Sequence, residues 1–199
     1  MLVQGIKSRP VYEGLTIDPC AKRHIFALEA EGALALLEQN PAKEVLARSE
    51  VLYTAGASRT REHFSALTAL GADQCWQAPS IETLLFRLRG SLNNATMSTR
   101  LYISGTEGFI GQAQAMAVDF GMDFRSIPTE HRGSLARRVQ CVHCKGTTDN
   151  VTVSPFTCSH CGLSLLVRDH YSRRLAAFQG VNIDAEEPGT APEPEELFT

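Results

Sequence analysis

Long apolar runs are missing from this chain. It has no stretch of about 18 apolar residues, the length a bilayer-crossing helix needs. Its opening residues, MLVQGIKSRPVYEGL, hold no apolar segment of signal-peptide length. A cytoplasmic protein with no membrane partner is the expectation. Basic residues are absent from positions 181–199, VNIDAEEPGTAPEPEELFT, which carry Asp184, Glu186, Glu187, Glu193, Glu195 and Glu196 with Pro188, Pro192 and Pro194. So few apolar groups cannot offset the entropy of ordering that stretch, and a disordered acidic tail over 181–199 is expected. Removing its six negative charges from the formal −3 leaves the rest of the chain at +3. With basic clusters also scarce, no nucleic-acid partner is expected. Cysteines number only six, and in a reducing compartment they favour metal over disulfide.

Four of the six stand in two matched pairs, Cys141-x-x-Cys144 and Cys158-x-x-Cys161. A Cys-x-x-Cys turn places two thiolates on one side of a tight knuckle, and two knuckles together supply the tetrahedral sulfur shell that Zn²⁺ accepts. A redox pair would need a single Cys-x-x-Cys at a strand–helix junction. A four-sulfur iron site has the same ligand set, so spacing alone leaves iron open. Gly146 and Gly162 follow the pairs, where a knuckle needs positive φ. The stretch between the pairs runs from turn residues to β-formers, the content of a zinc ribbon over 138–180. His143 and His160 lie inside the knuckles and are expected to be solvated, since four cysteines fill the shell. Cys20 and Cys75 are expected to be ordinary core or surface thiols. A closed four-thiolate site has no open position for water or substrate, so the metal is expected to hold the fold and not to catalyse.

The chain is 43% hydrophobic, enough for a sizeable core. Residues 1–135 repeat one pattern: an apolar run, a small residue, then an amphipathic stretch. It appears in HIFALEAEGALALLEQN, stopped by Pro41. It recurs at Val51, Leu52 and Tyr53, followed by a helical face of Phe64, Leu67 and Leu70. It appears again at Leu101, Tyr102 and Ile103, followed by a helix from Phe109 to Phe120. A further helix starts at Ser80, buries Ile81, Leu84, Leu85 and Leu88, and is expected to end at Gly90. Short strands alternating with helices predict an α/β domain with a parallel sheet, followed by the ribbon.

The segment LYISGTEGFIGQAQAMAVDFGM resembles the closing strand–turn–helix of the nucleotide-binding domain in ferredoxin–NAD(P) reductases. Ser104 stands at that family's Cys, Gly105 at its Gly and Thr106 at its Pro, which implies a vestigial nucleotide site at these three residues. VLYTAGASRTREHFSAL resembles the family's arginine-bearing loop, with Arg59 and Arg61. The family's glycine-rich turn falls at ALEAEGALALL, where Gly32 stands alone with Glu29 and Glu31 beside it. Glu29 and Glu31 would repel a pyrophosphate. A degenerate Rossmann-like, ferredoxin-reductase-like domain that does not bind the dinucleotide is the expectation.

After the ribbon come Arg168, Asp169, His170, Tyr171, Arg173 and Arg174. Asp169 beside His170 suggests a base and its orienter, but sequence neighbours do not face each other on a helix and no nucleophile stands nearby. No catalytic residue is expected. A solvated face or a partner interface remains, and Tyr and Arg favour the interface. The full order, reductase-like domain, double Cys-x-x-Cys ribbon and RDHYSRRLAAF, resembles the small subunit of bacterial heme-dependent dimethylamine monooxygenase. The resemblance implies an accessory subunit of an oxidoreductase that demethylates dimethylamine with NADPH and O₂. It also implies larger partner subunits that carry heme, flavin (FMN) and iron–sulfur groups. An NAD(P)H-binding reductase component and a zinc-ribbon nucleic-acid regulator are the alternatives.

Overall fold

A computed structural model describes residues 8–56 and 62–199. Arg59 and Arg61 lie outside the described residues. The described residues divide into two compact units, one within residues 12–133 and the other made of residues 8–11 with 134–199.

The larger unit is a parallel sheet with helices on both faces. Its elements are β1 (Arg23–Glu29), a 3₁₀ turn (Ala30–Gly32), α1 (Ala33–Gln39), α2 (Lys43–Leu46), β2 (Ser49–Thr54), α3 (Glu62–Ala69), β3 (Gln74–Ala78), α4 (Ile81–Asn93), β4 (Thr99–Gly105), α5 (Glu107–Asp119) and β5 (Thr129–His131). The strand order is β3-β2-β1-β4-β5, and every pairing is parallel. Strands so placed bury both faces, which explains the unbroken apolar runs. Alternate residues of β1 go to opposite cores. Ile25 and Ala27 pack with Leu84, Leu88 and Phe109, and Phe26 and Leu28 pack with Leu36, Tyr53 and Leu67. The buried Tyr102 hydroxyl accepts from the Asp18 amide at 3.0 Å and meets His24 Nδ1 at 3.2 Å.

Helix α4 starts as expected, with Ser80 Oγ accepting from the Thr83 amide. It does not stop at Gly90 but runs to Asn93, because Ser91 and Leu92 continue the buried face. Strands β3 and β5 lack the apolar runs of the others, QCWQA and TEH.

The smaller unit is a β-structure. Strands β6 (Arg137–Cys141), β7 (Thr147–Val151), β8 (Val153–Ser154), β9 (Phe156–Thr157), β10 (Ser164–Ser172), β11 (Ala177–Asn182) and β12 (Glu195–Glu196) form two sheets, a five-stranded one in the order β7-β6-β11-β10-β9 and a two-stranded one of β12 beside β8. Val139, Val151, Leu165, Val167 and Phe178 make its core. Two departures from expectation appear here. Residues 8–11 belong to this unit, with Ser8 bridging β10 at His170. The acidic tail is also not structureless. Val181 and Asn182 finish β11, β12 pairs with β8, and Phe198 is 9% exposed. Phe198 gives the tail an apolar anchor, and a two-residue ladder satisfies the backbone beside it.

Candidate functional site

The two knuckles fold alike. In the first, the Cys141 amide donates to Gly146 O at 2.9 Å and the Lys145 amide to Cys141 O at 3.0 Å. In the second, the Cys158 amide donates to Leu163 O at 2.9 Å and the Gly162 amide to Cys158 O at 3.0 Å. The positive-φ position is four past the first cysteine of each pair. Gly162 fills it at +74°, but in the first knuckle it is Lys145, at +64°, and not Gly146. Gly146 is needed for another reason: a Cβ there would lie 2.4 Å from the His160 ring. The His160 ring lies over Gly146 with its Nε2 2.9 Å from Thr147 O, and both His160 and His143 are exposed.

The knuckles bring the four sulfurs together. Cys141 Sγ and Cys161 Sγ are 3.9 Å apart, Cys144 Sγ and Cys158 Sγ 3.8 Å, and all four lie within 4.8 Å of one another. A tetrahedron with metal–sulfur bonds of about 2.3 Å has its sulfurs about 3.8 Å apart, so the set fits one ion. Burial opposes ionisation of Cys158, but the amides of His160 and Cys161 and the neighbouring thiols outweigh it and bring it down to about 7. Cys161 receives the Leu163 amide, yet desolvation and three adjacent sulfurs push it up to about 12. A thiolate that forms first and raises its neighbours is what four crowded sulfurs should show, and a cation removes the conflict.

In the larger unit the strand order reverses between β1 and β4, the place where open α/β sheets bind ligands. Ser104, Gly105 and Thr106 are there, and each is already engaged. Ser104 Oγ donates to Glu130 O at 2.8 Å. A Cβ on Gly105 would lie 2.8 Å from the Glu29 Cβ. The Thr106 amide and hydroxyl both donate to Glu29 Oε2, at 2.9 and 2.6 Å. Thr106 is the N-cap of α5, so the Glu29 carboxylate takes the anion position at that helix N-terminus. Glu29 is 5% exposed. Gly32 serves packing: a Cβ there would strike Ser104 O at 2.2 Å. Glu31 instead faces His63, at 3.5 Å. Tyr53, fully buried at the end of β2, has a phenol raised by burial first and then by Glu31 and Glu29. The pairing of Glu29 with Thr106, 77 residues away, has no signal in the sequence beyond a carboxylate where a glycine is expected.

The polar cluster after the ribbon is a β-hairpin, not a helix, and it divides. Asp169 turns to the unit's own arginines, at 2.9 Å from Arg137 Nη1 and 2.5 Å from Arg9 Nη2. Burial would raise its carboxyl, but the hydrogen bonds from Arg9 and Arg137 hold it below the ordinary value. Tyr171 packs edge-on to Phe178, with centroids 5.0 Å apart. A register shift between Arg168 and Tyr171 leaves room for Ser8, whose amide donates to Asp169 O and whose carbonyl accepts from the Tyr171 amide. Arg168, His170, Arg173 and Arg174 stay exposed. Arg137 was not singled out by sequence. It is 6% exposed, with its guanidinium 4.0 Å from the centroids of both Phe178 and Phe198. Cys20 is exposed and Cys75 half-buried against Thr68.

Known proteins resemble this arrangement. A delta subunit of heme-dependent oxidative N-demethylase from Ectopseudomonas mendocina (strain ymp) is 34% identical over 110 residues, 55% of this chain; the match spans 63% of that relative's length. Among solved structures, phthalate dioxygenase reductase is similar at 14% identity over 68% of this chain and 46% of its own, with a TM-score of 0.45. The flavohem-like FAD/NAD binding domain of nitric oxide dioxygenase from Vibrio cholerae O1 biovar El Tor is similar at 15% identity over 62% of this chain and 56% of its own, with a TM-score of 0.36. Residues 4–127 match the N-terminal domain, and residues 138–181 the C-terminal domain, described for the dimethylamine monooxygenase subunit DmmA-like family, and the chain belongs to that family.

Proposed function

We propose that this chain is a non-catalytic, accessory subunit of a cytoplasmic, multi-subunit oxygenase that demethylates dimethylamine with NADPH and O₂. Heme, flavin (FMN) and iron–sulfur groups belong, in this reading, to larger partner subunits. This chain holds one Zn²⁺ through Cys141, Cys144, Cys158 and Cys161, which supplies folding free energy to a small β-unit and leaves no open coordination position. The E. mendocina relative is a delta subunit, which supports membership of an assembly.

The observation that carries the accessory role is Glu29. Its carboxylate takes both donors of Thr106 at the N-terminus of α5, so a dinucleotide phosphate arriving there would meet a buried negative charge and no unused donor on Thr106. Ser104, Gly105 and Thr106 are in this reading the remnant of a nucleotide site. The exposed part of the hairpin, Arg168, His170, Arg173 and Arg174, is the face that meets a larger subunit, since arginine makes bidentate contacts to carboxylates that fix orientation.

Titrating the isolated chain with NADPH tests this. The expected result is no saturable binding in the micromolar range. Saturable micromolar binding would instead favour a reductase component that uses the Ser104–Thr106 turn.

A further inference from the structure

Residues 195–198 lie on the smaller unit as a peptide lies on its receptor. Glu195 and Glu196 pair antiparallel with Ser154 and Val153 of β8. The amides of Leu197 and Phe198 both donate to Thr152 O, at 3.0 and 2.9 Å. Phe198 completes the surroundings of Arg137, whose guanidinium is 4.0 Å from its ring and 4.0 Å from the Phe178 ring, and Asp169 holds the same guanidinium at 2.9 Å. A fixed, nearly buried cation with one aromatic wall built in and one supplied by the tail is a socket for an aromatic side chain.

The attachment is slight. The ladder is two residues long, and residues 183–194, which lead to it, form no helix or strand and include three prolines. Glu193, Glu195, Glu196 and Leu197 remain exposed, so one anchor and a few backbone bonds hold the segment. Contacts this few are readily exchanged for equivalent ones from another chain.

We propose that this groove, the edge of β8 with Arg137 and Phe178 at its foot, docks an extended segment of a larger subunit with an aromatic residue just behind acidic ones. The tail occupies the groove as an internal competitor. The tail itself displays the chemistry the groove accepts: backbone pairing to β8 and a ring against the guanidinium, with exposed carboxylates on a chain that carries +3 without its tail. A tethered competitor acts at an effective concentration of order millimolar, so it weakens any rival of lower effective concentration without new contacts. The identity of the rival rests on the multi-subunit reading above, whereas the groove does not.

The test uses the full chain and a fluorescent peptide of residues 193–199, EPEELFT. Phe198→Ala removes the anchor, and the full-length variant should then bind the peptide saturably, at least ten-fold more tightly than the unaltered chain. The same peptide with alanine for phenylalanine should not bind. Leu197→Pro deletes an amide that donates to Thr152 and should open the groove in the same way with the Phe178 wall intact. If neither variant binds the peptide, if the unaltered chain binds it equally well, or if the alanine peptide binds as well, the groove is not a recognition site. Association with the larger subunits should be several-fold tighter for Phe198→Ala than for the unaltered chain. Unchanged or weaker association would overturn the competitor role even with the peptide bound. A chain that joins no larger subunit would overturn the multi-subunit reading and the identity of the rival, while the peptide result still decides the groove.

Discussion

Asp169 shows how one side chain is claimed by its own fold. It sits on a strand whose neighbours are exposed, yet it neutralises Arg137, a guanidinium 6% exposed and pressed against two rings. Removing one partner of such a pair leaves an uncompensated charge in poor solvent. We expect Asp169→Asn to cost about 2 kcal/mol at pH 7, less than for a fully buried pair because Asp169 keeps some exposure. The pH dependence has a definite sign. The folded-state carboxyl is held below its ordinary value, so the stabilisation is fully present above the unfolded pKa and is lost as pH falls through the folded one. Denaturation of both proteins across pH should show a constant gap near neutrality that closes below about pH 4. A gap that persisted in acid would mean the charge of Asp169 is not what Arg137 needs. The sequence placed Asp169 in a polar cluster but could not say which charge it would meet, because Arg9 lies 160 residues away.

Among the elements, the knuckles and α4 were the most legible. Cysteine spacing determines which thiols share a turn, so the gathering of the four sulfurs followed from the sequence. The positive-φ residue did not, because the knuckle's hydrogen bonds place it one residue before Gly146, and a lysine tolerates it there. We expect one Zn²⁺ per chain by metal analysis. Cys158→Ser should abolish that content and unfold the smaller unit, while circular dichroism retains the helical signal of residues 12–133. Retained stoichiometric metal in Cys158→Ser would show that the four sulfurs are not the ligand set. In α4, the helical face was read correctly and its end was not. Gly90 lies inside the helix, and a Cβ there would meet nothing within 4 Å. Gly90→Ala should therefore stabilise the protein by about 0.5–1 kcal/mol, by removing backbone freedom from the unfolded chain. Thermal unfolding measures this directly, and a lower midpoint would mean that the exposed helix end needs the glycine.

For the molecule as a whole, the sheet order and the division into two units set where chemistry and contact can occur. If the hairpin meets a larger subunit, the exposed Arg168 and Arg174 carry that contact, since Asp169 and Tyr171 are held within the unit. Arg168→Ala with Arg174→Ala should weaken association by about 2 kcal/mol, the hot-spot scale, and flatten its salt dependence. Metal content should not change. Normal assembly of the double variant, measured by titration against the larger subunits, would remove the hairpin from the interface. The sequence by itself determined what depends on near neighbours. Alternating strand and helix periods dictated a parallel sheet, cysteine spacing dictated two matched knuckles, and composition dictated an acidic tail. Tertiary structure alone decided that Glu29 caps the helix at Thr106, that Asp169 faces inward, that Ser8 joins β10, and that Phe198 anchors the tail on Arg137. Each of these contacts joins residues 32 or more positions apart (169 − 137 = 32 for Asp169 with Arg137). Local propensity does not encode such pairings, which arise only when strand order and a shared core bring distant backbone together.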